Sequence, residues 1–104
     1  MRKLIVFIGV LGLVSCGGGE KKSPESVQNQ SSGRNVYSSK CSACHGDDGT
    51  RGLAGAKDLS TSTLSDQEVT EIIKSGKGSM AGYGAILSEK ELSQVVEYVK
   101  TLRK

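Results

Sequence analysis

Tryptophan is absent from this chain, and its 104 residues include one Phe and three Tyr: Phe7, Tyr37, Tyr83 and Tyr98. Hydrophobic residues make up 36%, and part of that share sits in one run at the N-terminus. A single small domain with so little apolar mass needs a staple to hold it together. A bound prosthetic group would supply the missing bulk. Proline occurs once, as Pro24, and histidine once, as His45. No segment alternates apolar and polar residues with period two, so no sheet is expected. The formal net charge of +3 is mild. With no Arg-rich run and no strip of interleaved basic and aromatic residues, nothing argues for nucleic acid as a partner.

What is present is concentrated. Two of the three cysteines, Cys41 and Cys44, share the stretch CSACH with the only histidine. Three chemistries use such a cluster. Structural zinc needs about four protein ligands, and Cys41, Cys44 and His45 fall short, with the remaining Cys16 at the end of the N-terminal run. A redox dithiol expects alternating strands and helices around it, and no strands are readable. The pattern C-x-x-C-H is the attachment signature of c-type haem. Two thiols one helical turn apart reach both vinyl groups along one haem edge, and the next residue places an imidazole under the iron. One covalent haem c also fits the thin core.

The N-terminus reads as an export signal. Arg2 and Lys3 precede an apolar run from Leu4 to Val14, a charged region followed by a hydrophobic one. As a helix that run reaches only ~17 Å, against a hydrocarbon core of ~30 Å, so it cannot span a membrane. Its end, LVSC, resembles the lipobox of bacterial lipoproteins. The resemblance implies cleavage after Ser15, lipidation of Cys16, and a protein anchored to a bacterial membrane and facing the periplasm. Ordinary secretion, with Cys16 discarded or left as a free thiol, is the alternative. Residues 1–15 are then a signal peptide and 16–32 a lipidated tether, because GGGEKKSPESVQNQSS holds a single apolar side chain, Val27, and reads as disordered. The folded domain is expected over 33–104.

Within that domain the pattern is all-α. A first helix is expected near Arg34–Ala43. A second starts at Ser65, with Glu68 completing a capping box, carries the stripe Val69, Ile72 and Ile73, and stops at Gly76. A third repeats the device with Ser88 and Glu91 and carries Leu92, Val95, Val96, Val99 and Leu102 at helical spacing. Two Gly-rich loops lie between. Met80 sits in the second, amid KGSMAGYG, and is the only methionine besides Met1. Off any apolar stripe, it reads as the second axial ligand of the iron opposite His45, and Met/His ligation closes both axial positions.

The domain resembles a class I c-type cytochrome of the small bacterial monohaem kind. The likeness rests on Gly33 and Tyr37 ahead of the motif, on CSACHG, on the GSM loop and on the terminal amphipathic helix. It implies three to four helices wrapped around one covalent haem, with Gly33 and Tyr37 of the first helix packed on Tyr98 of the last. There are two departures. Lys57 stands where many relatives have a proline whose carbonyl accepts the imidazole proton, and Ala81 stands where many have a proline after the methionine. The carbonyl serving His45 is therefore open, and the Met80 loop is expected to be more mobile. Asp47 and Asp48 flank glycines and, with Asp58, read as turn residues, so no catalytic residues are expected. The function implied is a monomeric single-electron carrier, not an enzyme, working between redox protein partners. Lys40, Lys57, Lys74 and Lys77 are candidates for a basic docking rim. Two rivals are a gas-sensing or peroxide-handling haem protein with a labile sixth ligand, and a fixed haem subunit of an oxidase or reductase complex.

Overall fold

The computed structural model describes Gly12 and residues 24–104. The rest of the expected signal peptide, the expected lipidation residue Cys16 and the front of the expected tether lie outside the described residues. Among the described residues four α-helices are formed: α1 Pro24–Lys40, α2 Ser42–His45, α3 Asp66–Ser75 and α4 Glu89–Thr101, with a 3-10 turn over Leu53–Gly55. Among the described residues there is no strand, only an isolated antiparallel bridge between Lys77 and Met80. The all-α expectation is borne out, with four helices.

The start of α1 corrects the sequence reading. Residues 24–32, expected as disordered tether, are helical, and the helix continues to Lys40 instead of beginning near Arg34. Proline is well suited to a helix's first turn, where its missing N–H has no intrahelical partner. Further along, tertiary contact supplies what composition lacks: Gln94 Nε2 donates to Asn29 Oδ1 at 3.2 Å, tying the upstream half of α1 to α4. At its other end α1 stops early. Cys41 interrupts the helix before α2 begins, so the expected continuous helix through Ala43 is two pieces.

The helices α3 and α4 start where the capping boxes place them. Ser65 Oγ accepts from Glu68 N while Glu68 accepts from Ser65 N, and Ser88 and Glu91 do the same. These reciprocal bonds satisfy two otherwise orphaned donors at each helix start. The core is one cluster of nine residues: Val36, Tyr37, Val69, Ile73, Leu87, Leu92, Val95, Val96 and Val99. It sits where α1 crosses α4, with Val95 and Tyr37 at 0% and 1% exposure. Gly33 makes the crossing possible. A Cβ there would lie 2.2 Å from the Gln94 carbonyl oxygen and 3.0 Å from Tyr98 Cβ. The Tyr37 and Tyr98 rings meet beside it, centroids 5.2 Å apart at 51°, within the range aromatic pairs prefer.

Candidate functional site

The cluster CSACH lies at the broken junction between α1 and α2. Cys41 is half-buried, Cys44 is exposed and His45 is buried. The junction is clamped from α1 by Tyr37, whose hydroxyl donates to the Gly46 carbonyl. Burial pushes the Tyr37 phenol up to about 12, so it stays a donor across the ordinary pH range. Gly46 takes φ 77°, which turns the chain back so that Arg51 N donates to the His45 carbonyl at 2.9 Å. Burial likewise pushes the Cys41 thiol up to about 11. Among the described residues no group of three or more His, Cys, Asp or Glu could hold a metal ion, which counts against zinc.

His45 Nδ1 lies 3.0 Å from the Lys57 carbonyl oxygen. A carbonyl only accepts, so Nδ1 is the donor and Nε2 keeps its lone pair for a metal. The sequence left this acceptor open because Lys57 replaces a proline. Any residue but a badly placed one can offer the same backbone oxygen, and here a lysine does. Two Asx-type turns shape the loop that delivers it. Asp48 Oδ1 accepts from Thr50 N at 3.0 Å and Thr50 Oγ1 at 2.7 Å. Asp58 Oδ1 accepts from Ser60 N at 2.9 Å and Ser60 Oγ at 2.6 Å. Those bonds hold both carboxyls below their usual range, in keeping with turn residues rather than acids or bases.

Met80 is half-buried against the core cluster. Its loop is pinned at several points. Lys77 N donates to the Met80 carbonyl at 3.1 Å and Met80 N to the Lys77 carbonyl at 3.0 Å. Tyr83 N donates to Ile73 O at 2.7 Å and Gly84 N to Lys74 O at 3.1 Å, stitching the loop along the end of α3. Only glycine fits at two of these positions: a Cβ on Gly76 would lie 2.5 Å from the Met80 carbonyl oxygen, and one on Gly82 2.6 Å from that of Lys74. The Tyr83 hydroxyl donates to the Lys40 carbonyl at 3.1 Å. Sequence reasoning assigned no role to that hydroxyl, nor to the Lys57 carbonyl.

Residues 28–99 match the family described as cytochrome c oxidase, cbb3-type, subunit III. The chain belongs to this family of c-type cytochromes. The matched region opens inside α1, upstream of the expected domain start at Gly33. The cytochrome is similar to cytochrome c6 of Gracilaria tenuistipitata var. liui, 30% identical over 73 residues that cover 64% of this chain and 67% of the relative. It is also 30% identical over 82 residues to a cytochrome c6-like protein of Nostoc sp., covering 73% of each. Among solved structures it is similar to the KustC0563 c-type cytochrome, with a TM-score of 0.62 and 28% identity over 69% of this chain and 98% of that one.

As a c-type cytochrome the chain carries covalently bound haem c. The residues at the junction fit that group. The one imidazole is buried with its Nδ1 already satisfied, and the two thiols beside it are uncrosslinked. Cys41 and Cys44 are the residues that could take the two thioether bonds, His45 Nε2 could bind the iron, and Met80 is the one thioether of the described chain. Among the described residues no helix is long and apolar enough to cross a membrane.

Proposed function

We propose that this cytochrome is a single-electron carrier, exported and held at a bacterial membrane by lipid on Cys16. Cys41 and Cys44 bear its haem, His45 and Met80 take the two axial positions, and the chain shuttles electrons between redox protein partners. The observation that carries the reading is the bond from His45 Nδ1 to the Lys57 carbonyl. It fixes the ring's rotation and leaves Nε2 with its lone pair free for a metal. Haem c supplies a one-electron iron couple. The chain's own part is to position it: Tyr37 clamps the segment after His45, the Asx turns deliver Lys57, and the stitched Met80 loop presents a thioether. With both axial positions filled, small molecules are kept from the iron, which suits electron transfer.

Three measurements test this. The protein's mass after acid extraction should still include one haem, and an apo mass refutes thioether attachment. Met80→Ala should lower the reduction potential and let the reduced protein bind carbon monoxide at once, whereas prompt binding by the unmodified protein favours the gas-sensing rival. Cys16→Ala should release the protein from membranes; unchanged tight binding with a cleaved signal rules out lipid as the anchor. A second reading draws on the family's description, which names an oxidase subunit. Gentle solubilisation separates the two: a shuttle travels alone, a fixed subunit travels with its complex.

A further inference from the structure

We infer that Tyr83 is a positioning residue whose hydroxyl latches the Met80 loop to the haem-attachment segment. The inference rests on the reading that Met80 is an axial ligand. It starts from the break in the helix at Cys41. A continuous helix would pass its hydrogen bonds through this point, but α1 ends at Lys40 and α2 begins at Ser42. The interruption takes nearby carbonyls out of the helical ladder, and such orphans need other donors. Ser42 Oγ donates to the Ser38 carbonyl at 2.8 Å. The Lys40 carbonyl is served from across the molecule, by the Tyr83 hydroxyl at 3.1 Å, 43 positions along the chain.

Tyr83 is well placed for this. Its N–H donates to Ile73 O at 2.7 Å, and its own carbonyl accepts from Ile86 N at 3.0 Å and Leu87 N at 2.9 Å. The root of the side chain is therefore fixed, and the hydroxyl adds one specific link. Among the described residues it is the only hydrogen bond joining the loop 76–85 to the segment Arg34–His45. One end lies three residues past Met80 and the other is the residue before Cys41. For Met80 to leave the iron, its loop must move away from that segment. The latch opposes this motion directly, while the stitching to α3 opposes it only at the loop's base. Phenylalanine at 83 keeps the ring and removes the latch.

The test is entry of imidazole into the oxidised full-length holoprotein, followed by the haem spectrum, for wild type, Tyr83→Phe, Tyr98→Phe and Met80→Ala. The latch is solvent-facing, so it competes with water and its loss has a modest effect. Tyr83→Phe should admit imidazole roughly 2- to 5-fold faster, with its resting spectrum and potential unchanged. Tyr98→Phe, which loses a hydroxyl elsewhere on the same protein, should bind at the wild-type rate. A wild-type rate in Tyr83→Phe, or equal acceleration in both phenylalanine variants, overturns the latch. Met80→Ala reports separately on the underlying reading: a wild-type spectrum and rate there show that Met80 is no ligand, whatever Tyr83 does.

Discussion

Gly33→Ala sets two effects of opposite sign against each other. Alanine is the better helix former by about 1 kcal/mol, and Gly33 lies within α1. If the helices crossed loosely, the substitution would stabilise the protein. The crossing is not loose. The added Cβ would lie 2.2 Å from the Gln94 carbonyl oxygen, 2.8 Å from the Gln94 carbonyl carbon and 3.0 Å from Tyr98 Cβ. Carbon contacts are comfortable from ~3.5 Å, so α4 must retreat by roughly an ångström. Two of the three obstructing atoms are backbone, and no side-chain rotation relieves them. The retreat would loosen Val95, buried at 0% exposure, and part the Tyr37–Tyr98 pair now at 5.2 Å. Overpacking of this kind costs ~1–3 kcal/mol, which exceeds the propensity gain. After the propensity gain a net loss of up to ~2 kcal/mol remains; for a domain of this size each kcal/mol moves the midpoint by roughly 4–8 °C, so Gly33→Ala should lower the thermal midpoint by up to roughly 15 °C. The assay is thermal unfolding of the holoprotein by far-UV circular dichroism, with the exposed α1 residue Asn35→Ala as control, expected to hold or raise the midpoint. A Gly33→Ala midpoint at or above wild type would refute the close-crossing argument.

Alkaline pH should weaken the fold through Tyr37. Its phenol is raised to about 12 by burial, so the stability it contributes is complete below the unfolded value of ~10 and is lost as pH rises through about 12. Denaturant titrations should show that slope in wild type and its absence in Tyr37→Phe, which at neutral pH should also be ~1–3 kcal/mol less stable because the Gly46 carbonyl loses its donor. Removing either capping serine, Ser65→Ala or Ser88→Ala, should cost ~1 kcal/mol, read as a lower thermal midpoint; an unchanged midpoint in both would show that the boxes are dispensable. Ala54 holds φ 53°, a left-handed conformation that burdens any side chain by ~1–2 kcal/mol. Ala54→Gly should therefore match or exceed wild-type stability, while Ala56→Gly, at φ −55°, should fall below it; the reverse order would remove strain from the account.

Side chains that act through their own chemistry were legible. The two serine–glutamate boxes and the stripe from Leu92 to Val99 each pair a residue type with a spacing, and each sits where expected; CSACH announced its chemistry in the same way, but not the break in the helix at Cys41. The aromatic pair Tyr37–Tyr98 and the small residue Gly33 were legible through family likeness, because a close crossing leaves only a missing side chain as its trace. What escaped was backbone chemistry. The Lys57 carbonyl serves His45 through an atom every residue has, so the letter at 57 carries no signal. The extension of α1 to Pro24 escaped because SPESVQNQSS shows no apolar stripe. Its packing depends on Gln94, 65 positions beyond Asn29. The left-handed Ala54 was invisible for the converse reason, since alanine advertises a helix interior and not a strained turn.

The pairing of α1 with α4 also orders events in time. Asn29 and Gln94 are 65 positions apart, and they belong to helices at opposite ends of the described chain. A chain threaded out N-terminus first presents CSACH long before α4 arrives. Contacts this distant are formed late, since a long loop must close before any of them is rewarded. Until then Gly33 and Tyr37 lack the Gln94 backbone and the Tyr98 ring they meet in the finished fold. A chain shortened before Glu89 would lose that crossing, and with it five of the nine core residues, Leu92, Val95, Val96 and Val99 directly and Tyr37 through its lost cover.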